Sequence, residues 1–178
     1  MRAIGAVGSS AVAGHARALM AKQTPATLML ARAGVAFSLR EYVYDPGADS
    51  IGLHAAESLG VAPEIMLKTL IVRVDGRLAC IVLPSDQEAS MKKVAAALGG
   101  KTAEMARPAD AERSSGYRVG GVSPFGQKKP LPTVVEARAL AHAKVFVNGG
   151  QRGLQIELDP RDLVAALGAG TADIVQVG

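Results

Sequence analysis

The stretch that decides the fold is Ile65-Met66-Leu67-Lys68-Thr69-Leu70-Ile71-Val72, which has the composition of a buried β-strand. Side chains alternate between the two faces of a strand, so Lys68 shares its face with Leu70, Val72 and Val74. A lysine on an apolar face loses hydration unless something compensates it. Either its flexible stem carries the ammonium group to water, which the strand pattern by itself favours, or the ammonium group meets a polar ligand in a cleft.

The segments around this strand predict an α+β domain. Asp75-Gly76 is a hairpin signal that turns the chain into a second apolar strand at residues 77–83. Helices are predicted after the capping residues Thr24, Ser50, Ser90 and Asp159. Further strands are predicted at residues 35–44, 101–105, 133–135, 144–147, 154–158 and 172–177. Short strands joined by tight turns, with interspersed helices, indicate a single domain with a mixed, largely antiparallel sheet.

Composition limits the class of protein. The chain has 178 residues, of which 49% are hydrophobic, so it is long and apolar enough for one globular domain. Its formal net charge of +4 permits a polyanionic partner without requiring one. A single cysteine, Cys80, excludes an internal disulfide and lies in an apolar stretch, which predicts a buried structural thiol and a reducing cytosol. No run predicts a transmembrane helix, and residues 1–22 are predicted to be an extension before a domain at 23–178.

The residue pattern gives no support for a metal site, a cofactor site or a Ser-His-Asp catalytic triad. The three histidines, His15, His54 and His142, have no ligand spacing, so neither a metal site nor a cofactor is predicted. Nothing resembles a nucleophile elbow or a phosphate-binding loop.

Two glycine-rich loops are candidates for ligand binding. In the first, residues 120–129, glycines would let backbone N–H groups approach a carbonyl oxygen or an oxyanion, although the glycine count by itself favours a simple tight turn. In the second, residues 148–153, Arg152 could pair with phosphate or point into solvent. Basic residues that could contact a phosphate backbone are Lys92, Lys93, Lys128, Lys129 and Arg152.

Taken in order, five segments resemble the YbaK family of bacterial Cys-tRNA(Pro) deacylases, which is related to the editing domain of prolyl-tRNA synthetase. They are Thr24-Pro25-Ala26, Tyr42-Val43-Tyr44-Asp45-Pro46, Leu67-Lys68-Thr69-Leu70, Gly116-Tyr117-Arg118-Val119-Gly120-Gly121-Val122-Ser123-Pro124-Phe125-Gly126-Gln127-Lys128-Lys129 and Gly149-Gly150-Gln151-Arg152-Gly153-Leu154. The resemblance extends from Thr24 to about Val175, and the long glycine motif is its most distinctive part.

The resemblance implies a YbaK-like fold with a barrel-like sheet and flanking helices, and an editing enzyme that acts in trans. A pocket for proline cannot easily exclude cysteine, so the wrongly formed Cys-tRNA(Pro) ester must be hydrolysed at a second site. In this family the thiol of the substrate is thought to attack its own ester carbonyl, and the protein supplies positioning and electrostatic stabilisation. The implied partners are aminoacyl-tRNA and, transiently, prolyl-tRNA synthetase in the cytoplasm, without a membrane or a metal.

The resemblance also implies roles for individual residues. Lys68 would hold the terminal adenosine or the ester end of the substrate, and the Gly120 backbone would contact the substrate carbonyl. The implied substrate-binding residues are Tyr42, Ile51, Thr69, Gly121, Ser123, Asn148 and Gln155. The implied tRNA-binding residues are Lys128, Lys129 and Arg152.

Four positions depart from the family pattern. Members of the family carry Phe, Ser and often Asp where this chain has Ile51, Asn148 and Gln155, and commonly His where it has Tyr44. These differences leave open whether the substrate is Cys-tRNA(Pro), Ala-tRNA(Pro) or a broader set of aminoacyl-tRNAs. A module that binds aminoacyl-tRNA or the synthetase without catalysis is the third alternative.

Overall fold

The computed structural model describes residues 22–178. The extension predicted for residues 1–22 therefore lies, except for Lys22, outside the described residues. The described chain contains the helices α1 (Pro25–Arg32), α2 (Ile51–Leu59), α3 (Met91–Ala97), α4 (Pro108–Ser115) and α5 (Pro160–Leu167), with short 3₁₀ turns at Pro63–Ile65 and Ala137–Ala141. Its strands are β1 (Ser38–Glu41), β2 (Leu67–Val74), β3 (Arg77–Pro84), β4 (Ala103–Met105), β5 (Thr133–Glu136), β6 (Val145–Asn148), β7 (Leu154–Leu158) and β8 (Gly170–Ala172).

Helix starts follow the capping residues that the sequence predicts. The side chains of Ser50 and Ser90 accept hydrogen bonds from backbone N–H groups in the first turns of α2 and α3. Thr24 forms a capping box with Thr27 at the start of α1, and its hydroxyl also donates to the carbonyl of Gly149 at 2.5 Å. This second bond connects the helix start to the loop between β6 and β7.

The strands form two sheets, with the orders β1-β7-β6 and β4-β2-β3-β5-β8. Four of the strand pairs are antiparallel, whereas β3–β5 and β5–β8 are parallel. An isolated bridge between Met66 and Phe146 brings the two sheets side by side at the start of β2. The mixed, largely antiparallel α+β architecture is confirmed. The predicted barrel-like closure is wrong, because the described strands form two open sheets, with β1 and β6 at the edges of one and β4 and β8 at the edges of the other.

The prediction of a last strand at residues 172–177 is also wrong, since β8 ends at Ala172. Carboxylate side chains accept hydrogen bonds from backbone N–H groups that a longer strand would use to pair with its neighbour. The buried Glu136 carboxylate accepts from the N–H of Ile174 at 2.7 Å, and Asp173 accepts from the N–H of Val175 at 3.3 Å. Only an isolated bridge between Ala89 and Val175 follows β8.

Strand β2 has a hydrophobic cluster against each of its faces. Leu67 and Ile71 pack with Val82 and Ile156 on one side. On the other side, the one that carries Lys68, Val72 packs into a second cluster. The strand is therefore buried on both faces, as its apolar sequence predicts, and its polar residues sit where the packing opens. No helix within residues 22–178 is long and apolar enough to cross a membrane.

Candidate functional site

A cavity of about 320 Å³ opens beside the first half of β2. Its wall combines β2 with the start of α2, the end of β4, helix α4, the glycine-rich loop and the β6–β7 hairpin. Six of the residues predicted from the sequence line it, namely Ile51, Lys68, Thr69, Gly120, Asn148 and Gln155. The tertiary structure thus brings together residues that are spread over about a hundred positions of the chain.

Lys68 is partly exposed at this cavity. Its side chain retains 23% of its accessible surface, and its Nζ lies 3.7 Å from a carboxylate oxygen of Glu88. Glu88 is itself 80% exposed, so water screens the pair and the attraction between them is weak. Of the described residues that line the cavity, Lys68 is the only one with an ionisable side chain. Its ammonium group is therefore a cation that can exchange the carboxylate for a ligand.

Two other residues of the cavity wall carry buried polar atoms without hydrogen-bond partners. The hydroxyl of Thr69 and the side-chain carbonyl of Gln155 make no hydrogen bond within the described chain, although both residues line the cavity. Gln155 is only 4% exposed, and a buried acceptor without a donor costs free energy. Both residues thus bring to the cavity wall a buried polar atom that a polar ligand could satisfy.

Tyr42 does not line the cavity but neighbours Gln155, which does. Burial raises the pKa of its phenol, and the neighbouring Gln155 side chain partly opposes that rise. Its hydroxyl makes no hydrogen bond of ordinary geometry within the described residues, and its ring meets His54 edge-on at 5.9 Å. Tyr42 is therefore placed to support Gln155 from behind the cavity wall.

Gly120 belongs to a β-turn that spans Arg118–Gly121. The N–H of Gly121 donates to the carbonyl of Arg118 at 2.8 Å. Gly120 has a φ of +92°, the left-handed region that the third residue of a type II turn requires. A Cβ at this position would also lie 2.7 Å from the hydroxyl of Tyr44, so both the backbone angle and the packing demand glycine.

Asn148 joins the glycine loop to the β6–β7 hairpin. Its amide nitrogen donates to the carbonyl of Gly120 at 3.2 Å, while its side-chain oxygen accepts from the N–H of Gly150 at 2.7 Å. Both ends of the side-chain amide are thus occupied within the protein. The contact that the structure shows for Asn148 is with the loop that forms the cavity wall.

Gly121 and Ser123 do not line the cavity. Gly121 allows the two loops to approach, because a Cβ there would lie 3.0 Å from the backbone nitrogen of Arg152. Ser123 is fully buried, and its hydroxyl accepts from the N–H of Phe125 at 3.2 Å. Both residues shape the glycine loop from within.

The three predicted tRNA-binding residues are in different environments. Lys128 and Lys129 have exposed side chains, and their backbone N–H groups bond to the end of α4. Arg152 is exposed but engaged, since its Nε and Nη2 donate to the carbonyl of Val119 at 3.1 and 2.9 Å. Its guanidinium also lies over the ring of Tyr44, 5.1 Å from the centroid.

Sequence reasoning missed the apolar part of the cavity wall. Met105, Ala106, Ala111, Val119 and Val122 contribute to it. They lie at the end of β4 and directly after it, on α4, and at the start of the glycine loop and directly before it, and no periodicity in the sequence connects these segments. Within residues 22–178 there is no group of three or more His, Cys, Asp or Glu side chains that could hold a metal ion.

Comparison with known proteins gives three findings that bear on this cavity. The model of the aminoacyl-tRNA editing domain family matches residues 45–166, which is more than half of the chain. A proposed Cys-tRNA(Pro)/Cys-tRNA(Cys) deacylase of Enterococcus faecalis, EbsC, is 36% identical over 138 residues, which cover 76% of this chain and 84% of the relative. A proline–tRNA ligase of Acidithiobacillus ferrooxidans is 31% identical over 103 residues, or 58% of this chain and 18% of the ligase.

The fold also has a close match among solved structures. The crystal structure of a proposed trans-editing enzyme for prolyl tRNA synthetase superimposes with a TM-score of 0.70 at 23% sequence identity. The match covers 79% of this chain and 87% of the other. At that identity the likeness establishes a shared fold. The matched family segment includes all six cavity-lining residues that the sequence predicts.

Proposed function

The chain belongs to the aminoacyl-tRNA editing domain family, and on that premise we propose that it is an aminoacyl-tRNA deacylase that hydrolyses mischarged Cys-tRNA(Pro) in trans. The similarity to EbsC supports the reaction class, because this chain spans most of that relative's length. The ligase relatives carry the similar segment as a small part of a much longer protein. The match to the editing-domain family supports aminoacyl-tRNA as the class of substrate.

The observation that carries the proposal is the composition of the cavity. One cation, Lys68, stands on its wall together with the unpaired polar atoms of Thr69 and Gln155, and the rest of the lining is mainly apolar. A volume of about 320 Å³ suits a small aminoacyl group with part of its ribose. Such an ester offers an ammonium group to the unpaired oxygens and an oxygen-rich end to the lysine.

Lys68 acts in this proposal as a positioning cation. Its weak contact with the exposed Glu88 can be replaced by the ester end or the terminal adenosine of the substrate. A positive charge at this place also favours the thiolate form of a cysteinyl side chain. The lysine thus serves the reaction without forming a covalent bond to the substrate.

The chemistry that fits this lining is attack by the substrate's own thiol. The sulfur of the cysteinyl group forms a bond to the ester carbonyl carbon, and the bond from that carbon to the ribose oxygen breaks. The thiol proton ends on the departing ribose oxygen, and water then opens the cyclic thioester to free cysteine. The developing oxyanion would be stabilised by the backbone N–H of Gly120, a residue that lines the cavity.

Recognition of the tRNA body requires positive charge outside the cavity. The exposed Lys128 and Lys129 follow the glycine loop and are proposed to contact phosphates. Such contacts position the nucleic acid without reading its sequence. We therefore also propose a transient association with prolyl-tRNA synthetase in the cytoplasm, which would supply the selection of tRNA(Pro).

The experiment is a deacylation panel with Cys-tRNA(Pro), Ala-tRNA(Pro) and Pro-tRNA(Pro), each with and without prolyl-tRNA synthetase. We expect Cys-tRNA(Pro) to be cleaved fastest, and Lys68→Ala to lower kcat/KM by at least about a hundredfold because one electrostatic contact at the reacting end is lost. Lys101→Ala is the matched control, since it removes an exposed lysine that does not line the cavity. Full activity in Lys68→Ala would refute the proposed role of this residue.

One observation favours a broader substrate range as the second candidate. Gln155 contributes a neutral amide to the cavity, and Ile51 contributes an aliphatic side chain, so neither residue selects for a thiol. Equal cleavage of the cysteinyl and alanyl esters would support this candidate and reject thiol attack. Salt-dependent binding of aminoacyl-tRNA without product would instead identify a non-catalytic module.

A further inference from the structure

The peptide between Val119 and Gly120 is held from one side by a charged donor. Two N–H groups of the Arg152 guanidinium converge on the Val119 carbonyl oxygen, at 3.1 and 2.9 Å. The ring of Tyr44 covers the same guanidinium at 5.1 Å, and the Tyr44 hydroxyl lies against Gly120. Arg152, Tyr44 and the turn therefore form one packed unit at the edge of the cavity.

The two hydrogen bonds from Arg152 select one of the two orientations that the Val119–Gly120 peptide could adopt. The central peptide of a β-turn faces opposite ways in type I and type II turns, and a glycine as third residue permits both. The carbonyl and the N–H of a trans peptide point in opposite directions. With the Val119 carbonyl held by Arg152, the N–H of Gly120 must point away from Arg152.

The N–H of Gly120 is also free to act as a donor. Across the described chain it has no hydrogen-bond partner, whereas the neighbouring N–H of Gly121 is used to close the turn. The carbonyl of Gly120 accepts a hydrogen bond from the Asn148 side chain, which holds the next peptide, between Gly120 and Gly121, in its orientation. A charged donor on the Val119 carbonyl further polarises the shared peptide and strengthens its N–H as a donor.

We propose that Arg152 is a positioning residue for catalysis, which fixes the Gly120 N–H in the direction needed to stabilise the oxyanion of the ester. The proposal rests on the deacylase function and adds a residue that acts through the turn. It differs from a phosphate contact, which needs guanidinium donors directed outward. In the structure two of these donors are directed inward to one carbonyl, and an aromatic ring covers one face.

A substrate without a tRNA body separates the two roles of Arg152. The probes are full-length Cys-tRNA(Pro) and 3′-cysteinyl-adenosine, tested with the intact chain and with Arg152→Gln. A positioning role predicts a fall in kcat of about 10- to 100-fold on both substrates with little change in KM, since an oxyanion donor is misdirected. A rise in KM confined to the full-length tRNA, with normal cleavage of the short ester, would overturn the proposal.

Two further variants make this comparison specific. Arg118→Gln removes one arginine charge from the neighbouring glycine loop, and Arg118 is exposed, with no hydrogen-bond or ion-pair partner for its side chain among the described residues. We expect it to cleave the short ester at the normal rate. Arg152→Lys keeps the charge but cannot reproduce the paired donors of the guanidinium, so we expect an intermediate kcat. Equal losses in Arg118→Gln and Arg152→Gln would mean that only the charge matters, against the proposal.

A spectroscopic readout distinguishes failure of this inference from failure of the proposed function. The carbonyl ¹³C shift of Val119 and the amide shifts of Gly120 report the hydrogen bond and the peptide orientation in the absence of substrate. We expect both to move in Arg152→Gln and to stay in place in Arg118→Gln. If the intact chain cleaves no ester, the deacylase function fails, while unchanged shifts in Arg152→Gln would overturn the positioning role by itself.

Discussion

The side-chain amide of Asn148 donates a hydrogen bond of 3.2 Å to the carbonyl oxygen of Gly120. The same amide accepts from the N–H of Gly150, so one side chain holds the glycine loop and the hairpin in a defined relation. The two residues are 28 positions apart, and the cavity wall depends on their contact.

Replacing Asn148 by aspartate tests this relation with little change in shape. Asn148→Asp keeps the acceptor for Gly150 but directs a carboxylate at the carbonyl of Gly120. We expect kcat/KM for Cys-tRNA(Pro) to fall about 5- to 10-fold, the equivalent of one ordinary hydrogen bond. Asn148→Ser, which restores a small donor, should recover part of the activity. Steady-state deacylation measures both, and an unimpaired Asn148→Asp variant would show that the contact is dispensable.

A methyl group at Gly120 should abolish activity while the protein remains folded. Gly120→Ala introduces a Cβ that would lie 2.7 Å from the hydroxyl of Tyr44, at a residue whose φ is +92°. The turn must change type to relieve this, and the N–H of Gly120 then loses its direction. The matched control is Gly76→Ala, where φ is +84° but a Cβ has no neighbour within 4 Å. The control should lose about 1 to 2 kcal/mol of stability from the backbone alone and keep its kcat.

Acid should destabilise the protein partly through Asp75. Backbone N–H groups of Thr102 and then Lys101 bond to its carboxylate and hold its pKa below the ordinary 3.8. The unfolded chain therefore takes up this proton at a higher pH than the folded chain. The stabilisation that the Asp75 carboxylate contributes is complete above the unfolded pKa of 3.8 and is lost as the pH falls through the lowered pKa of the folded chain. Asp75→Asn should show a smaller loss of stability between about pH 6 and about pH 3 in urea unfolding. A loss as steep as that of the unchanged protein would contradict this assignment.

Cys80 should resist alkylation in the folded protein. Complete burial raises the pKa of its thiol from 9.0 to about 12, despite the nearby Gln127 side chain. Since the thiolate is the reactive form, its fraction near neutral pH falls by about a thousandfold. Iodoacetamide should modify the residue quickly in urea and very slowly in buffer, as mass spectrometry would show. Rapid modification of the native protein would mean that β3 opens locally.

Local features of this protein could be predicted from sequence because their causes are local. Thr24, Ser50 and Ser90 cap the helices that they precede, and Asp75-Gly76 closes the hairpin between β2 and β3. Each depends on hydrogen bonds within a few residues. The resemblance carried by the motifs then indicated six residues that line one cavity.

The relations between loops were decided by the tertiary structure alone. Arg152 meets the carbonyl of Val119 across 33 positions, a contact that exists only because the hairpin and the glycine loop pack together at Gly121. In the same way Glu136 takes the N–H of Ile174 and ends the strand that the apolar C-terminal sequence predicts. Sequence patterns report which backbone and side-chain groups need partners. Which distant group satisfies each of them follows from the packing of the whole domain, and that choice makes Arg152 part of the turn at the cavity wall.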